Sequence, residues 1–284
     1  MSALILRDLR IYFRDRLSVF FSLLSVIITF LLYLLFLGDV WSNGLPDVDG
    51  ARAMMDSWIM AGLITIASVT TTLSAATTMV DDRARKIRKD FEASPISRSG
   101  LAGSYILSSF LVGVLMTLIQ LVLAEVYIVM RGGELLSLVA FLKTFGIILL
   151  SVLGSTAFFI FLFTLLKTSA AVGTISTLVG TLIGFLTGIY IPIGQLPTAV
   201  QGIVKLLPVS HTAALMRQVM MENPIQKVFA GAPIEVMHEV LDGFGLQFSI
   251  NGSVVPAYVS VIMIAASGVV FFALCVWGIM KKEK

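Results

Sequence analysis

Charge is scarce in this sequence. Asp, Glu, Lys and Arg make up 13% of its 284 residues, against about a quarter in soluble domains. With 57% hydrophobic residues and a mean hydropathy of +0.97, a soluble globular chain is excluded and a polytopic membrane protein is expected. The length leaves little room for a second, soluble domain. The single cysteine, Cys275, lies in an apolar run, so neither an internal disulfide nor a cysteine metal site can form. The two histidines, His211 and His238, are isolated. Neither an H-E-x-x-H pattern nor any other metal-ligand set is present. There is no G-x-x-x-x-G-K-[ST] loop to cradle ATP and no G-x-S-x-G nucleophile turn. Together these absences argue against an enzyme and against a cofactor bound by this chain. No carboxylate sits mid-span with a basic partner, which argues against a proton-coupled transporter. A formal charge of +3 does not suggest a nucleic-acid partner.

What is present is a series of apolar runs, each near the twenty residues needed to cross a bilayer as a helix. They fall at Ser18–Leu37, Ser57–Val80, Ser104–Met130, Leu142–Leu166, Ala170–Tyr190 and Ala257–Met280. The first follows a basic start without a small-residue cleavage site, so an uncleaved anchor is expected. In residues 2–17, Leu6, Leu9, Phe13 and Leu17 share one helical face, while Arg7, Arg10 and Arg14 mark another. Either an interfacial amphipathic helix or a plain basic flank of the first span fits. The second run is rich in hydroxyls, among them Thr71, Thr72 and Thr78. These can bond back to their own helix, or line a pathway or a helix contact. In the third run, Glu125 is either a substrate or proton site, by its place in a membrane, or a group that reaches the outer surface near Arg131. In the fifth, Ser176, Gly180, Gly184 and Gly188 recur every fourth position, a stripe that lets helix backbones approach closely.

Between the second and third runs lies the densest charge in the chain. Residues 80–104 hold Arg83, Arg85, Lys86, Arg88, Lys89 and Arg98 with Asp81, Asp82, Asp90 and Glu92. The positive-inside rule assigns such a loop to the cytoplasm. From Asp81 to Glu92 there is no Gly or Pro, and Ile87 and Phe91 are four apart. That predicts a short helix with one apolar edge, ended before Pro95. It is either a handle for a soluble partner or a solvated basic loop that only fixes topology. With this loop inside, fourteen of the twenty Lys and Arg residues fall on the inner side. The other six include Arg217, counted with the long outer loop. Six spans with both termini inside follow. Between the fifth and sixth spans, residues 191–256 divide in two. Up to Met221 they are semi-apolar and broken by Pro197 and Pro208, which suits helices dipping into the membrane behind a protein or water shield. Beyond, Pro233-Ile234-Glu235 could open a helix with Val236, Val240 and Phe244 on one face. Asn251-Gly252 is a hairpin turn signal.

Two segments resemble a known family, the type-2 ABC exporter permeases. The first is Asp81-Asp82-Arg83 followed by Phe91-Glu92-Ala93-Ser94-Pro95-Ile96-Ser97-Arg98. The second runs Gly188-Ile189-Tyr190-Ile191-Pro192-Ile193, then Gln195-Leu196-Pro197, Leu207-Pro208-Val209-Ser210-His211 and Leu215-Met216-Arg217. The resemblance implies an all-α, single transmembrane permease domain over residues 1–284, with an N-terminal interfacial helix, a coupling loop at 81–100 and a re-entrant outer segment. It implies a bacterial cell-membrane location and a dimer with a second permease copy or homologue. Two ABC ATPase subunits would bind ATP and Mg. It gives Asp82, Arg83, Arg85, Lys86, Arg88, Phe91, Glu92 and Pro95 the ATPase-coupling role. It puts the path on spans 2 and 5, at Thr71, Thr72, Thr78, Thr174, Thr177 and Thr181. Pro192, Pro197 and Pro208 would shape an outer gate. The substrate class would be amphipathic: a drug, an antimicrobial peptide or a lipid-like molecule. One departure is Arg83-Ala84-Arg85-Lys86-Ile87, where the family often has Glu and then Gly-Thr. Rival expectations are an ion-driven secondary transporter that requires Glu125, and a membrane scaffold that tolerates changes in span 5.

Overall fold

The computed structural model of the chain describes residues 1–32, 50–87, 91, 97–166, 168–250 and 253–281. Helix α1 is Ser2–Arg14, and a break at Asp15 separates it from α2, Arg16–Leu32. The long helices α3 (Ala51–Ala84), α4 (Arg98–Met130), α5 (Leu138–Leu165) and α6 (Ser169–Leu186) follow. A 3-10 turn at Ile193–Gln195 leads to α7 (Thr198–Val204), α8 (Pro208–Met220), α9 (Glu222–Val228) and α10 (Ile234–Gly243). A hairpin of β1 (Ser249–Ile250) and β2 (Ser253–Val254) precedes α11 (Ala257–Lys281).

Local chemistry explains where these helices begin. Ser97, Ser137 and Thr168 each accept a backbone N–H from three residues ahead, at 3.1–3.2 Å, satisfying a donor that the first turn leaves free. Pro208 occupies the first turn of α8, where its missing N–H costs nothing. The chain folds as an all-α polytopic membrane protein. Among the described residues, α3, α4, α5, α6 and α11 are long and apolar enough to cross a membrane. The first expected span falls partly outside the described residues, and α2 is its described part. Helices α7 and α8 meet at 86°, a broken element of the kind the two prolines predict.

Helix α3 is the hub. Of its most apolar window 94% is buried, against 17% in α6 and in α11. Helices α2, α4, α5, α6, α8 and α9 all pack on it. Hydroxyls suit this position because they turn back on their own carbonyls: Thr65 to Ala61, Thr70 to Ile66, Thr71 to Ala67 and Thr72 to Ser68. Satisfied in this way, they can be buried against other helices. Gly113 of α4 leaves the space that Thr72 and Val152 fill. Helix α11 covers the far side of α5, where Gly154 and Gly268 bring the two backbones together; a Cβ on Gly268 would lie 3.4 Å from the Gly154 Cα.

Three expectations need correction. The helix expected over Asp81–Glu92 does not begin at Asp81, because α3 runs on to Ala84 and turns at Arg85 and Lys86, where Lys86 takes φ +62°; beyond the turn Ile87 and Phe91 are helical, and residues 88–90 and 92 lie outside the described residues. At about 1.5 Å per residue its 34 residues extend about 50 Å, well past the hydrocarbon, so its last turn can carry charge. Helix α6 stops at Leu186, short of Tyr190. Gly188 lies beyond its end at φ +73°, a conformation glycine adopts freely. The expected α10 forms, but Val236 on the predicted face is exposed, Val240 is half-buried, and Leu241 and Phe244 pack on the core.

Candidate coupling site

The last turn of α3 joins α1, α4, α5 and α6 at the basic end of the bundle. Asp82 accepts Arg7 Nη1 and Nη2 in a two-pronged pair, both at 2.8 Å, and the Tyr105 hydroxyl at 2.7 Å. Its neighbour Asp81 accepts the Ser169 hydroxyl at the start of α6, at 3.0 Å. Arg83 donates to the Leu166 carbonyl at 2.8 Å, just past the end of α5. Arg7 also donates to Asp8 at 2.8 Å, and Ser108 of α4 donates to Asp8 at 3.3 Å. The Arg7 guanidinium lies 5.1 Å from the centre of the Phe91 ring, so one side chain touches α1, α3 and the charged loop at once.

Burial makes these contacts strong and costly to leave unmade. Asp8 and Asp82 are each 4% exposed. Two carboxylates therefore share one guanidinium away from water. Burial pushes the Asp8 carboxyl up to about 6; the Asp82 charge adds to this and the Arg7 charge opposes it. The bond to Asp82 holds the Arg7 guanidinium further above its already high value. Beside the cluster lies a cavity of about 260 Å³, lined by Arg7, Tyr12, Asp15, Thr78, Asp81 and Arg85 among others. Arg85, which lines it, and its neighbour Lys86 are exposed.

Helix α1 presents Leu4, Asp8 and Tyr12 to the bundle and leaves Leu6 and Phe13 outside, and Leu17 at the start of α2 is exposed too. These three residues of the apolar stripe read from the sequence face outward, as in a helix lying at a membrane surface, whereas its fourth, Leu9, is partly buried against the core beside Tyr12.

Of the expected coupling residues, Asp82, Arg83 and Phe91 join this cluster and Arg85 and Lys86 border it. Arg88, Glu92 and Pro95 lie outside the described residues. The expected path threonines are not brought together. Thr71 and Thr72 are buried inside the subunit, and Thr78 lines the cavity at the basic end. Thr174, Thr177 and Thr181 lie on the exposed face of α6, bonded back to Ala170, Gly173 and Thr177. The small-residue stripe also divides. Gly184 receives the Tyr190 ring, whereas a Cβ on Gly180 would meet nothing within 4 Å; Ser176 is half-buried. Glu125 accepts the Leu136 N–H at 2.9 Å and so orders the turn between α4 and α5.

Pro192 leads into the 3-10 turn, and Pro197 and Pro208 open α7 and α8. The segment is tied down by Ser210 donating to the Leu186 carbonyl at 2.7 Å and Lys205 donating to the Ser249 carbonyl at 3.2 Å. His211 is structural: Nε2 donates to the Lys205 carbonyl and Nδ1 accepts the Ser260 hydroxyl, both at 2.9 Å. Beside the start of α8, an apolar cavity of about 300 Å³ is walled by Phe158, Phe159, Ile183 and Phe271, with Ser151 and Thr212. Arg217 is not a loop cation, as sequence counting made it. It is fully buried against Trp58. The four-residue stripe Ala213, Arg217, Met221, all buried, is the signal that places it on the inward face.

A helical bundle with a buried hub, an ion-paired basic end and a broken helix pair is the outline of a polytopic membrane protein. The ABC-2 type transporter family matches residues 1–221, from α1 through α8. The chain belongs to that family, the membrane subunits of type-2 ABC transporters. A comparison with curated proteins found no match.

Proposed function

We propose that the chain is the permease subunit of an ATP-driven exporter in the bacterial cell membrane, with both termini cytoplasmic. The observation that carries this reading is the joining of α1, α3, α4 and the α5–α6 turn through Arg7, Asp81, Asp82 and Arg83. A push on one rigid, clamped turn moves all four elements together. Arg85 and Lys86, exposed beside that turn, suit docking of a soluble ATPase, two copies of which would hold ATP and Mg. Arg88, Phe91, Glu92 and Pro95 would extend the docking loop. The exposed hydroxyl face of α6 (Thr174, Thr177 and Thr181) would meet a second permease copy or a homologue and line the path between them. Thr71 and Thr72 would act on that path through the packing of α3. The broken pair α7–α8 would be the outer gate. An amphipathic substrate fits, because the cavity beside the gate is apolar with a few hydroxyls.

The test is uptake of an amphipathic fluorescent probe into inverted vesicles that carry the full transporter. Uptake that needs ATP and is lost on charge reversal at Arg85 and Lys86 supports the reading. Uptake without ATP under an ion gradient, lost in Glu125→Gln, would overturn it in favour of a secondary transporter.

A further inference from the structure

Arg217 is the most unusual group in the molecule. It is 0% exposed, and Nε, Nη1 and Nη2 all lack a hydrogen-bond partner. A guanidinium carries five N–H donors and cannot discharge itself by losing a proton. Buried charges are ordinarily paired. The cation instead lies over the face of Trp58, 4.4 Å from the ring centre. That ring is held in place by its own N–H, which donates to the Phe244 carbonyl at 2.9 Å, and by the Phe244 ring. On the same helix, Gly62 leaves the space into which the guanidinium and Ile189 fit; a Cβ there would come 3.2 Å from Nη2.

No carboxylate is paired with it among the described residues. Asp56 accepts Tyr127 and faces Arg131, and Glu222 faces Lys143. Asp242 accepts Ser249 through one oxygen, and its other oxygen is buried with no hydrogen-bond partner. The aromatic face is thus a stand-in for a counterion. It attracts the cation but satisfies none of its donors. Arg217 also sits in α8, one arm of the 86° break, and α8 packs directly on α3. Any separation of α8 from α3 uncovers a preformed, planar donor fork.

We propose that Arg217 is an anion-receiving site of the outer segment. Its ligand is a single phosphate or carboxylate on the transported amphiphile, exchanged for Trp58 when α8 parts from α3. The fork geometry favours an anion that offers two oxygens side by side. The apolar cavity flanking α8, lined by Pro208, Val209 and Thr212, suits the tail of the same molecule. The use of the site in transport rests on the permease reading; its chemistry does not.

The experiment is thermal unfolding of the full chain in uncharged maltoside micelles, without the ATPase, so that a failed binding test and a failed transport reading are separate results. The probes are dihexanoylphosphatidic acid, the matched neutral dihexanoylglycerol, and inorganic phosphate. The expected result is a saturable rise in midpoint with the phosphatidic acid and none with the diacylglycerol. The rise should vanish in Arg217→Met, and Arg217→Lys should bind about tenfold more weakly because it keeps the charge and loses the fork. A full rise with inorganic phosphate alone, lost in Arg217→Met, supports the site and makes the ligand a soluble anion. No response in the wild type, or equal responses in wild type and Arg217→Lys, overturns the proposal even if Arg217→Met does not fold.

Discussion

Replacing Arg7 with Met tests the clamp at the basic end. The change keeps the length of the side chain and removes its charge. Asp82, 4% exposed, would retain the Tyr105 hydroxyl but lose both guanidinium bonds. Asp8 would lose its nearest cation and face a second carboxylate. Removing one partner of a buried pair costs about 3–5 kcal/mol. Arg7 is 27% exposed, so solvent screening lowers the expected cost to about 2–3 kcal/mol. That cost falls on the docking of α1, which should open about 30- to 150-fold more often, at about 1.4 kcal/mol per tenfold. Hydrogen–deuterium exchange in micelles reads this directly. Peptides covering Ser2–Arg14 should exchange faster by that factor, while the centre of α3 is unchanged. In the double variant Arg7→Met, Asp82→Asn the costs should be clearly less than additive, because the uncompensated carboxylate is gone. Wild-type exchange of α1 in Arg7→Met, or strict additivity, would refute the clamp.

Further outcomes follow from the same packing. When α1 undocks, Asp8 returns from about 6 to its ordinary value near 4. The docked state then binds more protons between about pH 4 and 6, so docking weakens as pH rises through that window and is level above it. Exchange of α1 measured across this range should show that slope, and Asp8→Asn should flatten it. Gly184→Ala drives a methyl into the Tyr190 ring and should cost about 1–3 kcal/mol, read as a lower unfolding midpoint. Gly180→Ala meets nothing within 4 Å and should leave the isolated chain as stable or slightly more so. Gly180→Leu should instead reduce self-association, measured by light scattering, if the α6 face receives a second copy.

Much of the architecture was legible because it depends on runs and breaks along the chain. The apolar runs mark α3 to α6 and α11. Ser97 and Thr168 are start signals, Pro197 and Pro208 bracket a broken pair, and Asn251-Gly252 stands between β1 and β2. The clamp was not legible in the same way. Arg7 and Asp82 are 75 positions apart, and nothing local distinguishes Arg7 from Arg10 or Arg14. The helix expected from Asp81 differs at its start for a related reason: tertiary partners for Asp81, Asp82 and Arg83 allow α3 to continue through its own charges. The threonines of α3 could not be assigned a side from composition, because a hydroxyl bonded to its own helix serves equally in a packed core or at an exposed face. Arg217 was counted with loop cations because charge counting ignores helical phase, although the stripe through Ala213 and Met221 was there to read.

The central claim is that this chain is driven by a separate ATPase docked at the basic end. Its most direct test is isolation of the chain from native membranes in mild detergent, as wild type and as the Arg85→Glu, Lys86→Glu variant. The account predicts a stoichiometric soluble subunit with a phosphate loop bound to the wild type. It predicts loss of that subunit, or of its substrate-stimulated ATP hydrolysis, in the charge-reversed variant while the chain stays folded. A wild-type chain that supports transport with no such subunit, or a variant with unchanged partner and coupling, would contradict it.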